Sequence, residues 1–178
     1  MKIYKKQYFF REIIFMIIAM GAGTLFHFIY EWSGFHPLAG LFAPVNESTW
    51  EHLKMLFFPV LLLTVPEYFW CARKAEGFLF SRTVGIGCGL AFIVIFYYTY
   101  TGILGTHYLW LDIADFLLGI FITYFITYLF FTRKKTGSHR LDFICTCLLL
   151  ITAVLFFCFT WNPPAINLFL SPDTATPL

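Results

Sequence analysis

Between Phe131 and Leu141 the chain reads Thr132-Arg-Lys-Lys-Thr-Gly-Ser-His-Arg140. This basic island separates two apolar runs, Tyr108–Phe131 and Leu141–Trp161. Each is roughly 20 residues or slightly longer, enough to cross ~30 Å of hydrocarbon as a helix. The island therefore reads as a cationic turn between two helices that cross a membrane in opposite directions. Working outward, three more runs of the same kind appear at about Glu12–Glu31, Thr49–Cys71 and Thr83–Gly102. Lys2, Lys5, Lys6 and Arg11 precede the first, and Arg73, Lys74 and Arg82 join the second to the third. With Arg133, Lys134, Lys135 and Arg140, eleven of the twelve Lys and Arg residues fall on one side, leaving only Lys54 for the other. Because cytoplasmic loops carry the excess of Lys and Arg, the amino terminus is expected inside and the carboxyl terminus outside. The predicted fold is an all-α bundle of five transmembrane helices, one integral membrane domain over residues 1–178.

Composition agrees. The 178 residues are 60% hydrophobic and only 12% charged, with a mean hydropathy of +0.76. Five spans leave little chain for a soluble domain. The net charge of +2 is segregated by side. Its basic clusters are short and sit where cytoplasmic anchors belong, so nucleic acid is not an expected partner. The cysteines, Cys71, Cys88, Cys145, Cys147 and Cys158, lie inside or at the ends of the runs with no C-x-x-C spacing. They read as buried small apolar residues rather than a disulfide framework. The first run follows basic residues, as a signal peptide would, but it is too long for an h-region and no A-x-A-like site follows. It is expected to remain as an uncleaved helix.

The expected outer face gathers most of the chemistry. Four of the five histidines, His27, His36, His52 and His107, fall there, while His139 lies among Lys and Arg on the inner side. His27 and Glu31 are four apart and share a helix face with Gly23, a stripe that lets a neighbouring helix approach and turns polar groups inward. Ser48 and Glu51 fit an S-x-x-E capping box at the start of the second span. That leaves Asn46, Glu47, His52 and Lys54 without a local explanation, and the helix start is itself suited to an anionic group. In the fourth span Asp112 and Asp115 lead a polar and small stripe through Gly119, Thr123 and Thr127. Asp115 lies about a turn deeper than Asp112, so it should face the bundle interior with a partner, His107 being the candidate. Glu67 is expected to pair at the inner interface beside Arg73 and Lys74. Pro59 and Pro66 should kink or open the second span. Gly85 and Gly89 read as a small-x-x-x-small packing face, not a nucleotide loop.

The run Ala43-Pro-Val-Asn-Glu-Ser-Thr-Trp-Glu-His-Leu-Lys54, together with His27-x-x-x-Glu31-Trp32 and the tail Asn162-Pro-Pro-Ala-Ile-Asn-Leu-Phe169, resembles a family of small bacterial multi-pass membrane proteins of unknown function. The likeness covers essentially the whole chain. It implies a bacterial cytoplasmic-membrane setting and brings no activity with it.

Three readings of these residues compete. The first is a metal-assisted hydrolase or transferase whose cavity opens to the external leaflet. His27, His52, Glu51, Asp115, His107 and Asp112 are its ligand candidates for a divalent metal such as zinc, with His27 and His52 first. Glu31, Glu51 and Asp115 would handle protons, and Lys54 would steady an anion on a lipid-linked or amphiphilic substrate. The second is a proton or cation transporter using Asp112, Asp115, Glu31 and His27, which five spans without a visible repeat suit only in a homo-oligomer. The third is a non-catalytic sensor or accessory subunit held by a structural polar network. All three share the lipid bilayer as partner. The loop Trp32–Ser48, with Pro37, Gly40 and Pro44, is expected to fold over the outer mouth as a lid.

Overall fold

The structure, a computed structural model, describes residues 2–72, 76–133 and 138–171. It is all-α, with no strand among the described residues. The helices are α1 (Lys2–Trp32), α2 (Pro37–Phe42), α3 (Thr49–Glu67), α4 (Phe78–Leu104), α5 (Leu109–Phe131) and α6 (His139–Trp161), and α3 continues into a π-helical turn at Tyr68–Ala72. All but α2 are long and apolar enough to cross a membrane. Local chemistry sets their ends. Ser48 and Ser138 cap α3 and α6 by accepting the Glu51 and Leu141 amides, satisfying donors that the first turn leaves free. Left-handed Gly77 (φ 86°) and Gly105 (φ 74°) bound α4, a conformation glycine adopts without strain. The π turn directly follows Pro66, whose missing N–H breaks the regular hydrogen-bond ladder.

The outer surface carries far more large apolar side chains than that of a water-soluble bundle, and several charged side chains are buried beside the apolar core. Large apolar side chains such as Ile17, Ile95, Phe143 and Leu150 point outward, whereas Glu12, Glu51, Lys54, Glu67, Arg82 and Asp115 are buried. Apolar surface outside and paired charges inside is what hydrocarbon demands. The central element is α3, which packs against α1, α4, α5 and α6 around Leu56, Phe57, Val60 and Phe156.

Small residues bring the backbones together. A Cβ on Gly23 of α1 would fall 2.5 Å from the Met55 carbonyl oxygen of α3. On α4, a Cβ at Gly89 would fall 2.7 Å from the Gly119 carbonyl of α5, and one at Gly85 would strike Thr123 and Thr127. Gly87, between them, faces open space. The small-x-x-x-small spacing on α4 is thus the α4–α5 contact. The same contact closes the stripe below Asp115: Thr123 and Thr127 are fully buried, and each hydroxyl donates to the carbonyl four residues earlier.

The loop after α1 does fold back. Phe42 of α2 packs against Phe58 of α3 and Phe157 of α6, and Trp50 holds the tail through Phe169.

Several expectations change. The third span starts at Phe78, so Arg82 is inside α4 and fully buried rather than an interfacial anchor. Glu67 pairs with that arginine at 2.5 Å; Arg73 and Lys74 lie outside the described residues. Among the described residues Cys88 and Cys158 face outward, Cys147 is half-buried and Cys145 is buried; thiols are apolar enough to meet lipid.

Candidate functional site

The segment Ala43–Lys54 reverses direction at the mouth of the bundle. Asn46 Oδ1 accepts the Ser48 amide at 2.9 Å, and Ser48 Oγ accepts the Glu51 amide at 3.4 Å. Glu51 does not complete the reciprocal capping box; its Oε2 accepts the Val45 amide at 3.0 Å instead. These bonds pin the turn that precedes α3 and swing Glu47 back over the first turn of the helix. Glu47 Oε2 lies 3.3 Å from His52 Nε2. From α1, His27 brings its ring to 5.6 Å from that of His52, centroid to centroid. One ligand atom each of His27, Glu47 and His52 lies within 4.8 Å of the others.

The hydrogen bonds determine what this trio can do. His52 Nδ1 lies 3.0 Å from the Ser48 carbonyl oxygen, which can only accept. Nδ1 therefore carries the proton and, in neutral imidazole, Nε2 presents a lone pair. That lone pair points at a carboxylate, so the contact calls for a cation: a second ring proton or a metal ion. Fixing one ring nitrogen on a backbone carbonyl is also how metal-binding histidines are oriented. The hydrogen bond from His52 holds the Glu47 carboxyl below its ordinary range, against the opposing pull of partial burial. His27 Nδ1 is buried and has no hydrogen-bond partner among the described residues. Two imidazoles and one carboxylate match catalytic zinc chemistry, which keeps a position open. The Glu47 side chain is 57% exposed, so the trio opens outward.

A second cluster flanks the first. The Tyr100 hydroxyl donates to Asp112 Oδ1, and His107 Nδ1 lies 3.4 Å from Asp112 Oδ2. His107 thus serves Asp112 and not Asp115. Asp112 is within electrostatic reach of His52, and His107 of Glu47. Asp115 points into the bundle, 3% exposed, and its Oδ1 has no partner among the described residues. Glu31 is exposed at the end of α1, one turn beyond His27.

Glu51 and Lys54 belong to a different arrangement. Lys54 Nζ donates to Glu51 Oε2 at 2.6 Å, to Thr160 Oγ1 at 2.6 Å and to the Gly40 carbonyl at 2.8 Å. The ammonium ties the carboxyl-terminal end of α2 to α3 and α6 and is fully buried. All of these partners are protein groups, and Glu51 is bonded to Lys54 and Val45. The structure brings His27 and His52 together, leaves Asp112 and His107 within electrostatic range of the trio, and places Glu51 and Lys54 in a separate hydrogen-bonded arrangement. Glu47 takes the carboxylate position. Helical spacing cannot point to it, because Glu47 precedes the cap and periodicity begins only after Ser48.

A family model matches residues 2–176, almost the whole chain. The chain belongs to the DUF6512 family, a family of unknown function. No curated protein and no solved structure matches it. DUF6512 supplies no reaction or ligand, so the chemistry of the mouth carries the functional argument.

Proposed function

We propose that this DUF6512 protein is an integral protein of the bacterial cytoplasmic membrane, amino terminus inside, that holds a divalent metal such as zinc at its outer face. The observation that carries the reading is the convergence of His27, Glu47 and His52 within 4.8 Å. A metal there would polarise a bound water or a substrate oxygen. Glu31, exposed one turn from His27 on α1, is the carboxylate left to take a proton. Asp112, held by Tyr100 and His107, supplies negative charge beside the histidines. Exposed Phe28 and Trp32 on the neighbouring turns of α1 favour a lipid-like substrate, with hydrolysis or group transfer as the reaction class. The packed seam between α4 and α5 weighs against a transport path along the Asp115 stripe.

Metal analysis of protein purified gently without chelator tests this. Near-stoichiometric zinc or another divalent ion is expected in the wild type, and loss of most of it in His27→Ala, Glu47→Ala and His52→Ala. His36→Ala and His139→Ala should retain it. A metal-free wild type that also fails to take up added zinc would sink the proposal.

A further inference from the structure

Fifteen residues before His27, about 22 Å along α1, a separate cluster is sealed inside the bundle. Glu12 of α1, Glu67 of α3 and Arg82 of α4 meet there at 3%, 0% and 0% exposure. Arg82 Nη2 lies 2.5 Å from Glu67 Oε2 and 3.4 Å from Glu12 Oε1. The Tyr8 hydroxyl donates to the same Glu12 oxygen. The guanidinium stacks over the Tyr124 ring of α5, 4.4 Å from its centroid, and over Phe78 at 5.3 Å. Both carboxyl groups contact the same guanidinium nitrogen, Arg82 Nη2.

Charge balance decides the state of this cluster. One guanidinium neutralises one carboxylate, and two are present. Among the described residues, the cation bonded to these carboxylates is Arg82; α1 also supplies Tyr8, α5 supplies Tyr124, and Arg11 engages Trp70. From α6, Asp142 is taken up by the Gly77 and Phe80 amides, and Cys145 lies near Thr83. A second ionised carboxylate would sit uncompensated in a hydrocarbon-like interior, the costliest arrangement for a buried acid. Each carboxyl also keeps one buried oxygen without a donor among the described residues, Glu12 Oε2 and Glu67 Oε1. A carboxylic-acid hydrogen between the two groups supplies that missing donor and brings the cluster to neutrality.

We infer that Glu12 and Glu67 hold one proton between them opposite Arg82, forming a proton-binding site buried at the basic end of the bundle. The site is independent of the metal reading and lies on other residues. Its bound proton fastens α1 to α3 and α4. Removing it leaves net negative charge that only separation of α1 or entry of water can relieve.

Infrared spectroscopy of the full-length protein in lipid vesicles reads the proton directly, through the carbonyl stretch of a carboxylic acid. The parent for this test carries Asp115→Asn, so that a buried acid outside the cluster does not overlap; Glu51, also buried, is paired with Lys54. At neutral pH the parent should show a carboxylic-acid band. Glu12→Gln and Glu67→Gln should each abolish it, because the remaining carboxyl then pairs with Arg82 as an ion. Glu67→Asp, which keeps the pair, should shift the band rather than remove it, and stands in where a glutamine variant fails to fold. A parent without the band, or a band left unmoved by substitution at both positions, overturns the inference.

Discussion

Lys54 is the residue whose role is easiest to test against an alternative. Its ammonium is buried and bonded to a carboxylate, a hydroxyl and a backbone carbonyl. Truncating one partner of such a pair leaves the other charged and unpaired, which costs about 3–5 kcal/mol. Lys54→Ala should therefore lower the unfolding temperature in detergent sharply, and Lys54→Met combined with Glu51→Gln should recover most of the loss. If Lys54→Ala keeps its stability and loses only ligand binding, Lys54 steadies an anion after all. The sequence makes Lys54 look available because it is the lone cation on its side, and nothing in its neighbours announces that α2 will fold down upon it. Glu47 is opaque for the opposite reason. Its partner His52 lies across a helix cap, where spacing rules for helices do not apply. His27 and His52 were legible because each sits inside a regular helix on a recognisable face.

At the scale of elements, the α4–α5 contact turns on Gly85 and Gly89 of α4, with Gly87 between them facing away. A methyl group at Gly85 or Gly89 meets backbone of α5, which cannot move as a side-chain tip would. Gly85→Ala and Gly89→Ala should each destabilise the protein by ~1–3 kcal/mol, the usual cost of overpacking. Gly87→Ala, facing open space, should be neutral or slightly stabilising. Equal effects at all three positions in a detergent unfolding series would refute the contact. The spacing made this face readable without coordinates. The lower boundary of α4 was not, since hydropathy runs stop at the first charge and Arg82 ends the apolar window. Its place four residues after Phe78 and three before Gly85 puts it on the buried face, but only Glu12 and Glu67 make that position tolerable.

For the whole molecule, burial of Arg82 does not disturb the asymmetry of charge, since Lys54 is withdrawn from the opposite side in the same way. In the sequence the remaining Lys and Arg residues all flank the same ends of the apolar runs, which keeps the proposed orientation. A Ser171→Cys variant on a cysteine-free background should react with a membrane-impermeant thiol reagent in intact cells. Reaction only after lysis would reverse the topology. The number and order of spans were plain in the sequence, because hydrocarbon thickness leaves few alternatives. The Glu12–Glu67–Arg82 cluster was hidden, because it joins three separate helices. That cluster also bears on how the protein is made. Glu67 meets Arg82 only fifteen positions further on, and α3 is the least apolar of the five spans. Released singly into lipid, α4 would carry the Arg82 charge there unpaired, since guanidinium does not give up its proton as a carboxyl can take one. If the five helices span a membrane as proposed, α3 and α4 are expected to enter it as one hairpin, with Glu67 already facing Arg82.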